Sequence, residues 1–160
     1  MRSVTRLAIR APASRIHALA GDVERWPALL PHYRYVRRVD GAPHRYRMGA
    51  RRGPIPVRWE AEVRPLPDGV TVEFTHTGGV TSGMEVAWRL VERGDGVTDV
   101  AIEHELDLGW PLIGGFAAER IIGPLFIEAI ARRTLRRMKV IAERAAADSR
   151  SSAELLEASE

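Results

Sequence analysis

From residue 4 the chain alternates with a period of two. Thr5, Leu7 and Ile9 fall on one side and Arg6, Ala8 and Arg10 on the other, which predicts a strand over 4–10, closed by Pro12. The period then lengthens. Ile16, Leu19, Ala20 and Val23 recur at helical spacing, so 13–30 reads as one or two short helices. Ser14 is the expected N-cap, Trp26-Pro27 the expected break, and Pro31 the close. Six further strands follow at 33–40, 44–52, 57–64, 70–76, 83–92 and 97–108. They are separated by turn residues such as Gly41-Ala42-Pro43, Gly53-Pro54, Pro67-Asp68-Gly69 and Gly94-Asp95-Gly96.

The strands are two-faced. Val57, Trp59, Ala61 and Val63 oppose Arg58, Glu60, Glu62 and Arg64. Met84, Val86, Trp88 and Leu90 oppose Glu85, Ala87 and Arg89. Val100, Ile102, His104 and Leu106 oppose Ala101, Glu103 and Glu105. Short turns between such strands make an antiparallel meander with one wet face and one apolar face that must be covered. The last element supplies the cover. Over 112–147 the spacing is helical, with Ile113, Ala117, Ile121, Pro124, Ala131, Leu135, Met138 and Ala142 on one stripe and a kink expected at Gly123-Pro124. The fold class is therefore α+β: a curved antiparallel sheet of about seven strands around a long C-terminal helix, with two short helices after the first strand. Residues 1–147 make the domain, and 148–160 read as a polar tail expected to fray.

Composition narrows the function classes. A chain of 160 residues with 45% hydrophobic content is one globular domain with a real core. The absence of cysteine removes disulfide and thiolate chemistry and suits a reducing, cytoplasmic setting. Arg2, Arg6, Arg10 and Arg15 interrupt any apolar leader, and the most apolar region, 109–131, carries Glu119, Arg120 and Glu128, so no membrane insertion is expected. The isoelectric point of 9.9 comes with a net charge of only +3. The arginines are scattered as pairs (Arg37-Arg38, Arg51-Arg52, Arg132-Arg133, Arg136-Arg137), which reads as a solvated surface and not as a nucleic-acid reader.

The order strand, two short helices, six strands, long helix resembles the START-like (SRPBCC) superfamily, whose helix-grip members include polyketide cyclases and lipid or quinone carriers. The cues are Ala11-Pro12-Ala13 leading into a helix, the run Asp22-Val23-Glu24-Arg25-Trp26-Pro27, and the closing Leu135 to Glu143. Within it, the chain looks most like the bacterial aromatic polyketide aromatase/cyclases. The segment from Trp26 to Tyr33 matches their helix-to-strand passage and puts Tyr33 where they carry a pocket tyrosine. By the same resemblance, Trp88 falls on a pocket tryptophan, His104 on a pocket position that holds a polar amide there, and Glu128 on a helix position facing the pocket. The chain departs from them on strand 57–64, where they carry an inward serine and arginine and this sequence has Val57, Trp59, Ala61 and Val63.

What the resemblance implies is a cavity for a hydrophobic small molecule (a polyketide, lipid or quinone), with cyclisation or dehydration as the reaction if the protein is an enzyme. The alternative is a non-catalytic lipid, quinone or isoprenoid carrier. The catalytic candidates are His104, Tyr33 and Glu128. Imidazole is the natural acid/base group near neutrality, a phenol can polarise a carbonyl, and a buried carboxyl can orient the imidazole. Each has a plainer reading: a satisfied core histidine, an aromatic closing the end of the sheet, and a surface ion pair of Glu128 with Arg132. Trp88, Trp59, Met84, Phe74, Met48 and His76 are the expected ligand-binding wall. Inward-phase His44, His76 and His104 raise the question of a metal. His76 and His104 sit two strands apart, about 10 Å at ~4.8 Å per strand, too far for joint ligation, so neither metal nor cofactor is expected. The pattern leaves room for a homodimer.

Overall fold

The computed structural model describes residues 2–79, 81–106 and 124–159, with side chains of the last segment described from Ile127 on. Seven strands, β1 (Arg2–Ile9), β2 (Tyr33–Val39), β3 (Ala42–Arg52), β4 (Ile55–Pro65), β5 (Thr71–Gly79), β6 (Met84–Glu92) and β7 (Thr98–Leu106), form one sheet. Its order is β1-β7-β6-β5-β4-β3-β2 and every pairing is antiparallel. The meander runs outward from β7 to β2, and β1 closes the other edge beside β7.

The alternation read from the sequence is the alternation of burial. Val57, Trp59, Ala61 and Val63 on β4 are buried, as are Met84, Val86, Trp88 and Leu90 on β6 and Val100, Ile102, His104 and Leu106 on β7. The opposite face is laced by cross-strand ion pairs: Arg47–Glu60 at 2.8 Å, Arg45–Glu62 at 3.0 Å, Arg64–Glu73 at 3.0 Å and Arg89–Glu103 at 2.9 Å. Exposed pairs of this kind contribute at most about 1 kcal/mol each. Their main effect is on register, since a one-residue slip would part these charges and turn the apolar set to water, and a two-residue slip would set Arg47 against Arg58.

The helix α1 (Ala13–Gly21) packs against β4, β5 and β6, burying Ile16 and Ala20. A single 3₁₀ turn over Val23–Arg25 leads into α2 (Trp26–Leu29). Two local expectations are corrected here. The break falls at Asp22, and Trp26-Pro27 opens the second helix because proline suits its first turn. Ser14 lies inside α1 and caps nothing. The free Ala13 N–H donates instead to Glu92 Oε1 on β6 at 2.7 Å.

The covering helix α3 (Pro124–Glu157) lies over β1 and reaches α1 and β3. Ile127, Ala131, Thr134, Leu135, Met138, Ala142 and Ala146 form its buried stripe. Ile113, Ala117, Ile121 and the expected kink at Gly123 lie outside the described residues. The helix does not stop at Ala147. Nothing in 148–157 breaks it, since that stretch holds no glycine or proline, and the Ser149 and Ser152 hydroxyls lie along the helix on carbonyls four residues earlier, a mild perturbation that does not end it. The helical continuation is fully solvated. At the β1 edge, Lys139 Nζ donates to Ala8 O at 3.0 Å and the Arg10 N–H donates to Glu143 Oε1 at 3.0 Å, so α3 also occupies backbone groups that an open edge would expose.

Candidate functional site

Where the concave face of the sheet meets α3, the side chains leave a cavity of about 80 Å³. Its wall holds Tyr33 from β2, Met48 from β3, Trp59 from β4, Phe74 and His76 from β5, Met84 and Trp88 from β6, and His104 from β7. Eight of the nine residues read as candidates from the sequence are thus brought to one place. Glu128 is not among the wall residues. It stands half-buried at the β1 side, where its Oε1 accepts from Ser3 Oγ at 3.0 Å and its Oε2 lies 3.7 Å from Arg132. His44, which shares the inward phase, is exposed near the start of β3.

The wall also contains residues that the sequence reading did not single out. Trp26 is the hub of its aromatic part. Its ring centre lies 5.0 Å from Tyr33, 5.7 Å from Phe74 and 6.2 Å from Trp88, and its Nε1–H donates to Leu19 O at 3.0 Å. Read as a helix break, Trp26-Pro27 concealed an inward indole. Trp59 links the two polar ends, edge-on to Tyr33 at 6.0 Å and stacked on His76 at 5.9 Å with rings 6° from parallel.

Polar atoms are few and clustered. Thr134 of α3 lies 2.9 Å, Oγ1 to Nε2, from His32, and shares the cavity wall with Tyr33. Burial pushes the Tyr33 phenol well above its ordinary range, and the neighbouring Thr134 hydroxyl pulls part of the way back. At the other end, His76 Nδ1 lies 2.6 Å from Thr81 Oγ1, and His104 faces the same space. Burial lowers His76 to about 3, with His104 adding repulsion, and lowers His104 to about 4 against a small opposite pull from Glu128. His32, behind Thr134, is lowered to about 4 by burial and by Arg133. All three imidazoles are neutral at pH 7. Thr134 left little trace in the sequence, being one hydroxyl in an arginine-rich stretch, although its place seven residues after Ile127 puts it on the buried stripe.

Around His76 the backbone is specialised. The β4–β5 register shifts between Glu60 and Ala61, opposite 76–78, and Gly79 takes φ +86° with a built Cβ only 2.5 Å from Arg58 O. The bulge aims His76 inward, next to the Thr81 turn.

The volume is small. A void of ~150 Å³ takes up benzene, and sites for drug-sized ligands span ~300–1,000 Å³. Occupation by such a molecule therefore requires wall side chains to move. Met48 and Met84 are the unbranched, flexible ones.

A family model described as polyketide cyclase/dehydrase and lipid transport matches residues 9–138. Over 108 residues the chain is 32% identical to the actinorhodin polyketide synthase bifunctional cyclase/dehydratase of Streptomyces coelicolor. That match covers 65% of this chain and 34% of the relative, so the chain spans about a third of the length of that curated protein. Among solved structures, the Zhui aromatase/cyclase of Streptomyces sp. R1128 superposes with a TM-score of 0.73 at 14% identity, covering 90% of this chain and 94% of the other. A Thermus thermophilus protein superposes with a TM-score of 0.70 at 21% identity, covering 91% and 99%. At these identities the structural likeness speaks to the fold.

Proposed function

This chain belongs to the polyketide cyclase/dehydrase and lipid transport family, and on that premise we propose that it binds a hydrophobic, oxygen-bearing small molecule in the cavity under α3 and promotes its cyclisation or dehydration. One observation carries the reading. The polar atoms of an otherwise apolar, aromatic wall are gathered at Tyr33–Thr134 and at His76–His104, on either side of Trp59. With Thr81 the inward polar side chains number five, and although His76 and Thr134 have protein partners, His104 Nδ1 has none among the described residues, which a core that merely fills space would avoid. A ligand carbonyl or hydroxyl would occupy them.

Tyr33 and His104 are the groups we place against the reacting oxygens, and Trp59, Trp88 and Phe74 are the planes that hold the carbon skeleton. Fixing a flexible chain in a folded shape is itself a source of rate. Glu128 is assigned a positioning role, since it is absent from the cavity wall and its carboxylate accepts from Ser3, the cross-strand neighbour of His104.

The test is native mass spectrometry of freshly purified protein for a co-purified apolar compound, followed by titration of that compound into Tyr33→Phe and His104→Ala proteins. Turnover that falls far more than affinity in these variants supports the enzyme. Kept affinity with no turnover in the parent protein supports the carrier instead. A protein that binds no apolar or aromatic compound at all sinks both.

A further inference from the structure

His104 is buried to 7% exposure and lines the cavity. Its ring nitrogen Nδ1 is sealed from solvent and has no hydrogen-bond partner among the described residues. The sheet explains the missing partner. The residue directly across from His104 on β1 is Ser3, whose hydroxyl gives its proton to Glu128 at 3.0 Å and so has none to offer a bare Nδ1, and no bond from His104 to its oxygen is formed. On the other side His104 faces Val86, which in turn faces Phe74, and neither side chain offers a polar atom. A neutral imidazole carries one N–H and one bare nitrogen. Placing the N–H on Nδ1 would bury a donor with no acceptor, the rarest kind of orphan in folded proteins, whereas a bare, under-satisfied acceptor is better tolerated. The same pattern occurs at His32, where Nε2 meets Thr134 and Nδ1 is sealed without a partner among the described residues.

We infer that His104 works in this cavity as a neutral hydrogen-bond donor through Nε2–H, directed at an oxygen of the ligand, and not as the base that removes a proton. This rests on the reading that the cavity takes a ligand, and it narrows the class. The guest carries an acceptor oxygen conjugated to a planar carbon framework, as in an aryl ketone, so that the oxygen meets the imidazole while the ring lies among Trp59, Trp88 and Phe74. A neutral donor polarises such a carbonyl without introducing a buried charge, which suits a site where burial holds His104 and His76 unprotonated. Among the described residues, the charged and titratable groups turned toward His104 are Glu128 from α3 and His76 from β5, and neither offers Nδ1 a bond.

The tautomer is read directly by two-bond ¹H–¹⁵N correlation on ¹⁵N-histidine protein at pH 7 without ligand, with His104 assigned by the signal lost in His104→Gln. The expected pattern is a protonated Nε2 and a bare Nδ1. A protonated Nδ1, a fast mixture of both forms, or a cation at pH 7 overturns the inference. The ligand half is read with acetophenone and its carbonyl-free isostere α-methylstyrene, each titrated by NMR. Acetophenone should bind at least about tenfold more tightly, with a shift of the His104 Nε2 resonance that α-methylstyrene does not produce. In His104→Leu the preference should fall to within about twofold, while His104→Gln, which keeps an N–H, should retain part of it. Equal binding of the two compounds by the native protein overturns the donor role even with the tautomer as assigned. Failure of both to bind overturns the cavity reading and the ligand half with it, and the ¹⁵N pattern then judges the tautomer separately.

Discussion

His32 Nε2 and Thr134 Oγ1 lie 2.9 Å apart, joining the start of β2 to the middle of α3 directly behind the cavity wall. Thr134 also stands with Tyr33 on the cavity wall, so this bond ties the position of a wall hydroxyl to the start of β2. Thr134→Val keeps the shape and removes the link. Both nitrogens of His32 are then left without a partner among the described residues, because Nδ1 has none already. The expected cost is about 1–3 kcal/mol in urea unfolding, with Thr134→Ser close to native. A valine protein as stable as the parent would show that the bond contributes nothing net.

Acid should destabilise this protein earlier than its carboxylates alone would dictate. His32, His76 and His104 are lowered to about 4, 3 and 4 in the folded state, mainly by burial, against about 6.5 in the unfolded chain. Between those values the unfolded chain holds more protons, so stability rises with pH. The contribution is complete above pH ~6.5 and is lost as pH falls through 6 and 5 toward 4. Urea midpoints measured from pH 7.5 to 4.5 should fall steadily, with nearly three protons taken up on unfolding near pH 5, and His76→Gln should remove about one of them. A flat profile down to pH 5 would contradict burial of these rings as neutral groups.

Gly79 should not tolerate a side chain. Its φ of +86° is strained for any L-residue, and a Cβ there would meet Arg58 O at 2.5 Å and Trp59 Cα at 2.7 Å, both of them backbone. Gly79→Ala is expected to cost at least about 1–3 kcal/mol and to disturb the bulge that aims His76 inward. The paired control is Gly53→Ala, with φ +56° but no atom within 4 Å, which should cost less. Equal losses at the two sites would mean that the contact with β4 is unimportant.

The fold was legible because its signals are local and periodic. Alternation over 57–64 and 83–92 gave the strands, and glycines at the turns gave their order, including Gly69 beside an Asp68 carboxylate that accepts from the Val70 and Thr71 N–H groups at 2.9 Å. The wall residues on strands were legible for the same reason: facing inward on a concave sheet is a matter of odd or even position. What escaped was set by long-range contact. The cap of α1 is Glu92, 79 residues away, and no local rule connects it to Ala13. Thr134 became significant only once α3 was docked against His32, and Trp26 only once α2 turned its indole toward Phe74 and Trp88. Glu128 was drawn toward the cavity by family resemblance, but the docking of α3 on β1 gives it to Ser3 and Arg132.

The two methionines of the wall should set what the cavity admits. Met48 is 1% exposed and Met84 4%, and the free space beside them, about 80 Å³, is less than a bicyclic molecule needs. Truncation of either to alanine removes three heavy atoms and opens a void, at an expected cost of about 2–5 kcal/mol in stability. If methionine packing is the barrier to occupation, the loss should be partly recovered by a guest that fills the void. 2-Acetylnaphthalene should then bind Met84→Ala and Met48→Ala at least about fivefold more tightly than the parent and raise their thermal midpoints further. Binding and stabilisation measured together make the outcome decisive. A destabilised variant that gains no affinity would mean that these thioethers are ordinary core and that a guest enters elsewhere along the wall.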